Sequence, residues 1–280
     1  MTKDYFSHLT TEEQCILKDK GTEEPFTSEY NEHFEAGVFI CRACENPLYE
    51  SNTKFNSGCG WPSFDDEIEG AINRHEDLSR GTIRTEICCA NCDGHLGHVF
   101  AGEQITEKDT RHCVNSLSIR FKPYSQLEKA TFGAGCFWSV EKLFRDTNGV
   151  YLARVGYMGG TTDTPTYNQV CSGTTNHAEV VDLYFDPKKI NYSELITIFW
   201  KNHNPTTFNR QGVDIGTQYR SVVFYYNQQQ QKQAEQLKIA QQENFDNEIV
   251  TQIIPSEKFY RAEEYHQNYL KKNKLGSCGI

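Results

Sequence analysis

Two Cys-x-x-Cys pairs, Cys41/Cys44 and Cys89/Cys92, constrain this chain more than any other feature. Each pair can direct two thiolates at one metal from a tight turn, and two pairs complete a tetrahedral four-sulfur shell. Such a shell leaves no open position for water or substrate, so the expected ion is one structural Zn2+ per chain. The gap between the pairs is longer than in a zinc ribbon, so the ion would clamp two separated hairpins. The competing reading is a redox Cys-x-x-Cys, which usually occurs once and opens a helix in a βαβ context. Cys88 adjoins the second pair. A ligand swap there stays open, although the regular spacing favours Cys89.

The length of 280 residues suits two domains better than one. Hydrophobic content of 37% and aromatic content of 12% can supply two cores. A net charge of −10 with no basic run gives no footprint for nucleic acid or an anionic membrane. Residues 1–10 lack a basic segment followed by an apolar run, and no stretch approaches the roughly 20 apolar residues that span a bilayer. A cytoplasmic protein is therefore expected. In a reducing compartment, eleven cysteines are expected to bind metal or do chemistry rather than staple a scaffold.

The texture changes between residues 122 and 128. This gives a first domain over 1–122, a short linker over 123–128 and a second domain over 129–280. The first domain reads as mainly β, with strands over 36–41, 82–88 and 114–121, and an early helix capped by Thr10 or Thr11 with Glu13 or Gln14. The second alternates strands (129–132, 180–185, 221–226) with helices (136–145, 193–202, 227–244), which points to an α/β layer. Leu195, Ile196, Phe199 and Trp200 give the second helix one apolar face. Ala234, Leu237, Ile239 and Ala240 give the glutamine-rich third helix a stripe.

Chemistry is concentrated at a few cysteines. In Arg111-His112-Cys113-Val114-Asn115-Ser116 a thiol stands beside a guanidinium, which favours thiolate. His95-Leu96-Gly97-His98 brings two imidazoles together, and Gly58-Cys59-Gly60-Trp61-Pro62-Ser63-Phe64 supplies a further thiol. Taken singly, these residues also suit a buried core cysteine and structural histidines. Together with Thr22-Glu23-Glu24-Pro25-Phe26 and both Cys-x-x-Cys pairs, they resemble the methionine sulfoxide reductase B family over about residues 10–122. The resemblance implies that Cys113 attacks the sulfoxide sulfur and that Cys59 is the resolving thiol. It further implies that Trp61 packs against the substrate methyl, while His95, His98, Arg111 and Asn115 shape and polarise the pocket. Two positions depart from the family: His112 precedes the nucleophile where an aromatic is usual, and Ala101 stands where an acid is usual, with Glu103 nearby.

In the second half, Gly133-Ala134-Gly135-Cys136-Phe137-Trp138 sets a cysteine at the expected start of a helix, where free N–H groups and the dipole favour thiolate. Phe137 and Trp138 offer an apolar cage for a methyl group; the alternative is a glycine turn with core aromatics. Further on stand Pro165-Thr166-Tyr167, Cys171-Ser172-Gly173, His177-Ala178-Glu179 and Gly212-Val213-Asp214-Ile215-Gly216-Thr217-Gln218-Tyr219-Arg220. With these, residues 129–280 resemble the methionine sulfoxide reductase A family. The resemblance implies Cys136 as nucleophile, Glu179 as the acid on the sulfoxide oxygen, Tyr167 and Tyr219 as donors to that oxygen, and Asp214 as an ordering group. Gly276-Ser277-Cys278-Gly279-Ile280 matches the resolving segment, with Cys171 as the competing resolving thiol. Asn176 and Ser139 replace usual glycines.

Both resemblances imply reduction of methionine sulfoxide, free or in proteins, through a sulfenic acid and an intramolecular disulfide. Thioredoxin or a similar dithiol is the implied reductant. Two readings compete: a non-catalytic zinc redox-sensing module fused to an S-sulfoxide reductase, and a thiol peroxidase, which would not need the Phe137–Trp138 cage.

Overall fold

The computed structural model describes residues 4–79 and 81–275, and the chain divides into two units, Met1–Gln126 and Leu127–Ile280. The first unit opens with the helix Thr11–Leu17. Thr10 caps it, accepting from Glu13 N while Glu13 reaches back to Thr10 N. Two antiparallel sheets follow. One is three-stranded, in the order Pro47–Glu50, Gly37–Cys41, Ile119–Pro123. The other runs Lys54–Phe55, Ser63–Phe64, Thr110–Val114, His95–Ala101, Arg84–Cys89, Ile72–Asp77. Phe39, Leu48, Tyr49, Phe64, Ile87, Leu96 and Val114 form the core.

The expected strand over 114–121 is corrected. The strand ends at Val114, Ser116–Ser118 form a 3-10 turn, and a new strand begins at Ile119. The cause is remote: the Glu23 carboxylate accepts from Ser116 N and Leu117 N, which replaces ladder bonds with a carboxylate clamp. The strands His95–Ala101 and Ile72–Asp77, not singled out by periodicity, complete the larger sheet.

The second unit is built on a six-stranded sheet in the order Gln252–Pro255, Ser221–Tyr225, Glu128–Ala134, Ala178–Phe185, Val150–Met158, Tyr260–Arg261. All neighbours are antiparallel except the first pair, so helices and strands alternate without the parallel sheet that alternation suggests. Successive residues of Ala178–Phe185 point to opposite faces. Val181, Leu183 and Phe185 pack with Phe137, Val140 and Phe144 of the helix Phe137–Arg145 and with Leu195, Ile196, Phe199 and Trp200 of Tyr192–Lys201. Ala178 and Val180 join Met158, Val222 and Phe224 on the other face. The glutamine-rich helix Gln228–Gln242 buries Ala234, with Leu237 against the core, but Ile239 of the expected stripe is 74% exposed. Among the described residues no helix is long and apolar enough to cross a membrane.

One glycine fixes the register on which the first unit's chemistry depends. Gly97 lies opposite Val114 with φ +152°, and a Cβ there would collide with the Cys113 carbonyl. Gly97→Ala should destabilise the first unit by about 1–3 kcal/mol. Urea unfolding followed by a probe in that unit would read this as a lower midpoint, and an unchanged midpoint would contradict the close approach.

Candidate functional sites

The two Cys-x-x-Cys turns repeat one backbone pattern. Cys41 N donates to Asn46 O and Glu45 N to Cys41 O; Cys89 N donates to Gly94 O and Asp93 N to Cys89 O. Glu45 and Asp93 take left-handed conformations at φ +60° and +58°, which turn each loop sharply. The four sulfurs lie within 4.8 Å of one another, with Cys41–Cys92 at 3.6 Å and Cys44–Cys89 at 3.5 Å. Four sulfurs at ~2.3 Å from one zinc have edges of about 3.8 Å, so the donor set fits the ion. It joins the end of the three-stranded sheet's central strand to the larger sheet.

Cys88 is not part of this shell. It is buried on the face that carries Glu86 and His95, with His75 and Asp93 also near. Burial, then the Glu86 carboxylate, pushes its thiol up to about 12, so it is unreactive. The Lys20 ammonium already neutralises this cluster by pairing with Glu86 at 2.7 Å.

Cys113 sits near the end of Thr110–Val114, opposite Ser63 on one side and His98 on the other. Cys59, from the loop before Trp61, brings its sulfur to 3.8 Å from Cys113. A hydrogen bond from Cys113, helped by Ser57 and Ser63, holds the Cys59 thiol down to about 4, while the same bond and burial push Cys113 up. The Arg111 guanidinium opposes that rise. It is fixed by a two-point pair with Glu103, both contacts 2.7 Å, and lies over Phe100. Glu103 is thus the acid that braces Arg111.

The two imidazoles are each held by a carboxylate. His95 Nδ1 lies 2.7 Å from Glu86 and His98 Nε2 2.8 Å from Asp77, with ring centroids 5.6 Å apart. Burial lowers the proton affinity of His95. Trp61 is anchored through Nε1 to Glu23 O. Asn115 uses its amide on the backbone, donating to Leu96 O and accepting from Glu23 N, so it orders the loop behind the thiol. Glu23, Asp77 and Glu86 were not identified from sequence as site residues, because each acts on a partner that only the fold brings near.

In the second unit the glycine turn delivers Cys136 as N-cap of Phe137–Arg145. Gly135 has φ +89°, and the Gln211 side chain packs where a Cβ would be, so only glycine lets the hairpin Arg210–Gln211/Asp214–Ile215 approach. The buried Glu179 accepts from Phe137 N at 3.1 Å. Burial, reinforced by the charge of Asp214, pushes its carboxyl up to about 8 against that hydrogen bond. Tyr167 and Tyr219 are raised by burial and feel the Glu179 charge, which puts all three groups in one neighbourhood. Phe137 is buried and Trp138 lies beside it, its ring stacked on Tyr269 at 3.7 Å. Cys171 is exposed and lies near Tyr167. Cys278 lies outside the described residues.

Comparison with known proteins agrees with both halves. The family model described as peptide methionine sulfoxide reductase matches residues 128–280, and that described as SelR domain matches residues 9–123. The peptide methionine sulfoxide reductase MsrA of Methanothermobacter thermautotrophicus is 53% identical over 156 residues, 55% of this chain and 92% of that protein. The peptide methionine sulfoxide reductase A1 of Arabidopsis thaliana is 53% identical over 141 residues, 50% of this chain and 70% of that protein. Among solved structures, reduced Mxr1 from Saccharomyces cerevisiae aligns with TM-score 0.53 and 39% identity, covering 55% of this chain and 90% of that one. Methionine sulfoxide reductase A of Corynebacterium diphtheriae aligns with TM-score 0.51 and 38% identity, covering 55% of this chain and 78% of that one. The chain belongs to the peptide methionine sulfoxide reductase family and carries a SelR domain ahead of the reductase domain, so it is an enzyme with both methionine sulfoxide reductase modules.

Proposed function

We propose that the first unit reduces the R epimer of methionine sulfoxide and the second the S epimer, each with its own nucleophile. The observation that carries this reading is that each unit pairs a thiol with a separate source of protons and positive potential. In the first unit, Cys113 faces the Arg111 guanidinium, which favours its thiolate, and the imidazoles of His95 and His98 are the proton source. In the second, Cys136 stands at a helix N-terminus beside a carboxyl that is largely protonated below pH 8.

The chemistry is common to both. The thiolate attacks the sulfoxide sulfur while the oxygen takes a proton: from Glu179, with Tyr167 and Tyr219 as further donors, in the second unit, and from the imidazole pair in the first. The S–O bond and the transient bond between the two sulfurs break, two electrons stay on the methionine sulfur as methionine leaves, and the oxygen ends on the cysteine as a sulfenic acid. The resolving thiol attacks that sulfur, forms a disulfide and releases water. Cys59 resolves Cys113, and Cys278 resolves Cys136. Thioredoxin or a similar dithiol then reduces the disulfide by exchange, which suits a cytoplasmic enzyme. Trp61 in one site and Phe137 with Trp138 in the other pack against the substrate methyl. A sensor module needs no such wall at Trp61. Substrates are free or protein-bound methionine sulfoxide. Zinc on Cys41, Cys44, Cys89 and Cys92 would hold the first unit together and take no part in turnover.

Cys113→Ser should abolish R-sulfoxide reduction and leave S-sulfoxide reduction intact, and Cys136→Ser should do the reverse. Loss of both activities from either folded variant would sink the division. Metal analysis should find about one zinc per chain, and Cys44→Ser should lose it and destabilise the first unit, since binding free energy in such sites is folding free energy. Absence of zinc from protein purified without chelator would contradict the assignment.

The sign of the pH dependence follows from Glu179. Its carboxyl is an acid only while protonated, so single-turnover S-sulfoxide reduction should decline as pH rises past about 8. Glu179→Ala should slow it by about 10²–10⁴-fold. A flat profile between pH 7 and 9 in the wild type would remove Glu179 as the proton donor.

A further inference from the structure

His266 lies far along the chain from the cysteine motifs, yet it is 2% exposed within the aromatic cluster of the second unit. Its ring centroid is 4.4 Å from that of Tyr167, 5.2 Å from Phe137, 5.7 Å from Trp138 and 4.2 Å from Tyr265. The Trp138 indole Nε1 lies 3.2 Å from His266 Nδ1. An indole N–H can only donate, so Nδ1 must carry its lone pair and the ring proton must be on Nε2. That Nε2 is buried and has no hydrogen-bond partner among the described residues. The tautomer is thus fixed by one contact, and a second ring proton could enter only by ejecting the indole N–H.

The segment carrying His266 is itself tied to the helix behind Cys136. The Glu141 carboxylate accepts from Asn268 N at 3.0 and 2.8 Å, and Tyr269 stacks on the outer face of Trp138. Glu263, from the same segment, accepts from Tyr157 OH at 2.9 Å and from Tyr167 N at 2.8 Å. Trp138 is therefore held between a stacked ring and a single directional bond, and only the bond sets its rotation.

We propose that His266 is a positioning residue of the S-sulfoxide site: as the Nε2–H tautomer it accepts the Trp138 indole N–H and so fixes the aromatic wall against which the substrate methyl packs. This rests on the reading of Trp138 as that wall. Protonation of His266 would release the indole, so the wall is set at neutral pH and loosened in acid. The titratable groups that face the imidazole are Glu263, Tyr167 and Tyr265, with Tyr157 and Glu141 one contact further out. Burial lowers the imidazole's proton affinity, and the Glu263 carboxylate opposes that.

The test uses the full chain and S-epimer substrate. His266→Phe keeps the ring but removes the acceptor, and KM should rise about tenfold with kcat changed less than about threefold, the scale of one hydrogen bond. His266→Asn, whose carbonyl can take the Nδ1 position, should restore KM to within about threefold. Wild-type KM should rise as pH falls toward about 5, and the Asn variant should lack that trend. In wild-type spectra the Trp138 indole N–H resonance, assigned by its loss in Trp138→Phe, should shift over the same pH range. An unchanged KM in folded His266→Phe, or the same acid rise in KM in His266→Asn, overturns the proposal. If His266→Phe does not fold, the Asn variant and the indole resonance still decide it. Trp138→Ala separates the two readings. A raised KM there with no His266 effect sinks only the latch, and an unchanged KM sinks the wall and the latch together.

Discussion

Glu179 occupies a strand whose neighbours Val181, Leu183 and Phe185 point into the helix-covered core, and the removal of water around its carboxyl holds a proton there to about pH 8. The same physics recurs wherever this chain has chemistry to perform. The bond to Cys59 and burial push Cys113 up, and burial lowers the proton affinity of His95 and His266. In each case a fixed partner limits what desolvation would do alone: Phe137 N on Glu179, Arg111 beside Cys113, Glu86 on His95, Glu263 near His266. Shifted groups with named partners in a pocket are where catalysis is expected.

The two units solve one problem with different parts. The second places its thiol at a helix N-terminus, where backbone N–H groups supply positive potential, and holds the acid on the next residue's N–H. The first has no helix at its cysteine. There the thiol lies in a strand, and the positive potential comes from a guanidinium braced by Glu103, with a second sulfur 3.8 Å away. A strand holds such a thiol only while its neighbours keep register, and Gly97 is the point where that register has no slack. The four-cysteine cluster begins two residues beyond Ile87, the residue of Arg84–Cys89 that faces Gly97.

Much of this was legible in the sequence because it is local. Cys-x-x-Cys fixes two sulfurs within one turn, and a glycine turn before Cys136 announces a helix start. Thr10 with Glu13 announces another. The reading of 114–121 as one strand failed because alternation cannot report a carboxylate that arrives from Glu23. The same limit hid Glu86 and Asp77, which look like ordinary surface acids until the strands pair. His266 was hidden most deeply, since its partner Trp138 lies more than a hundred residues away and neither residue's spacing signals the contact. Ile239 failed in the opposite sense: a stripe of apolar residues extended past the surface the sheet could cover.

The central claim is that each unit completes its own redox cycle with its own pair of thiols. The most direct measurement is peptide mapping of the disulfides formed when the reduced full chain meets a mixture of both sulfoxide epimers without reductant. The account predicts two bridges, Cys59–Cys113 and Cys136–Cys278. A Cys136–Cys171 bridge in place of the latter, or a bridge joining a thiol of one unit to a thiol of the other, would contradict it.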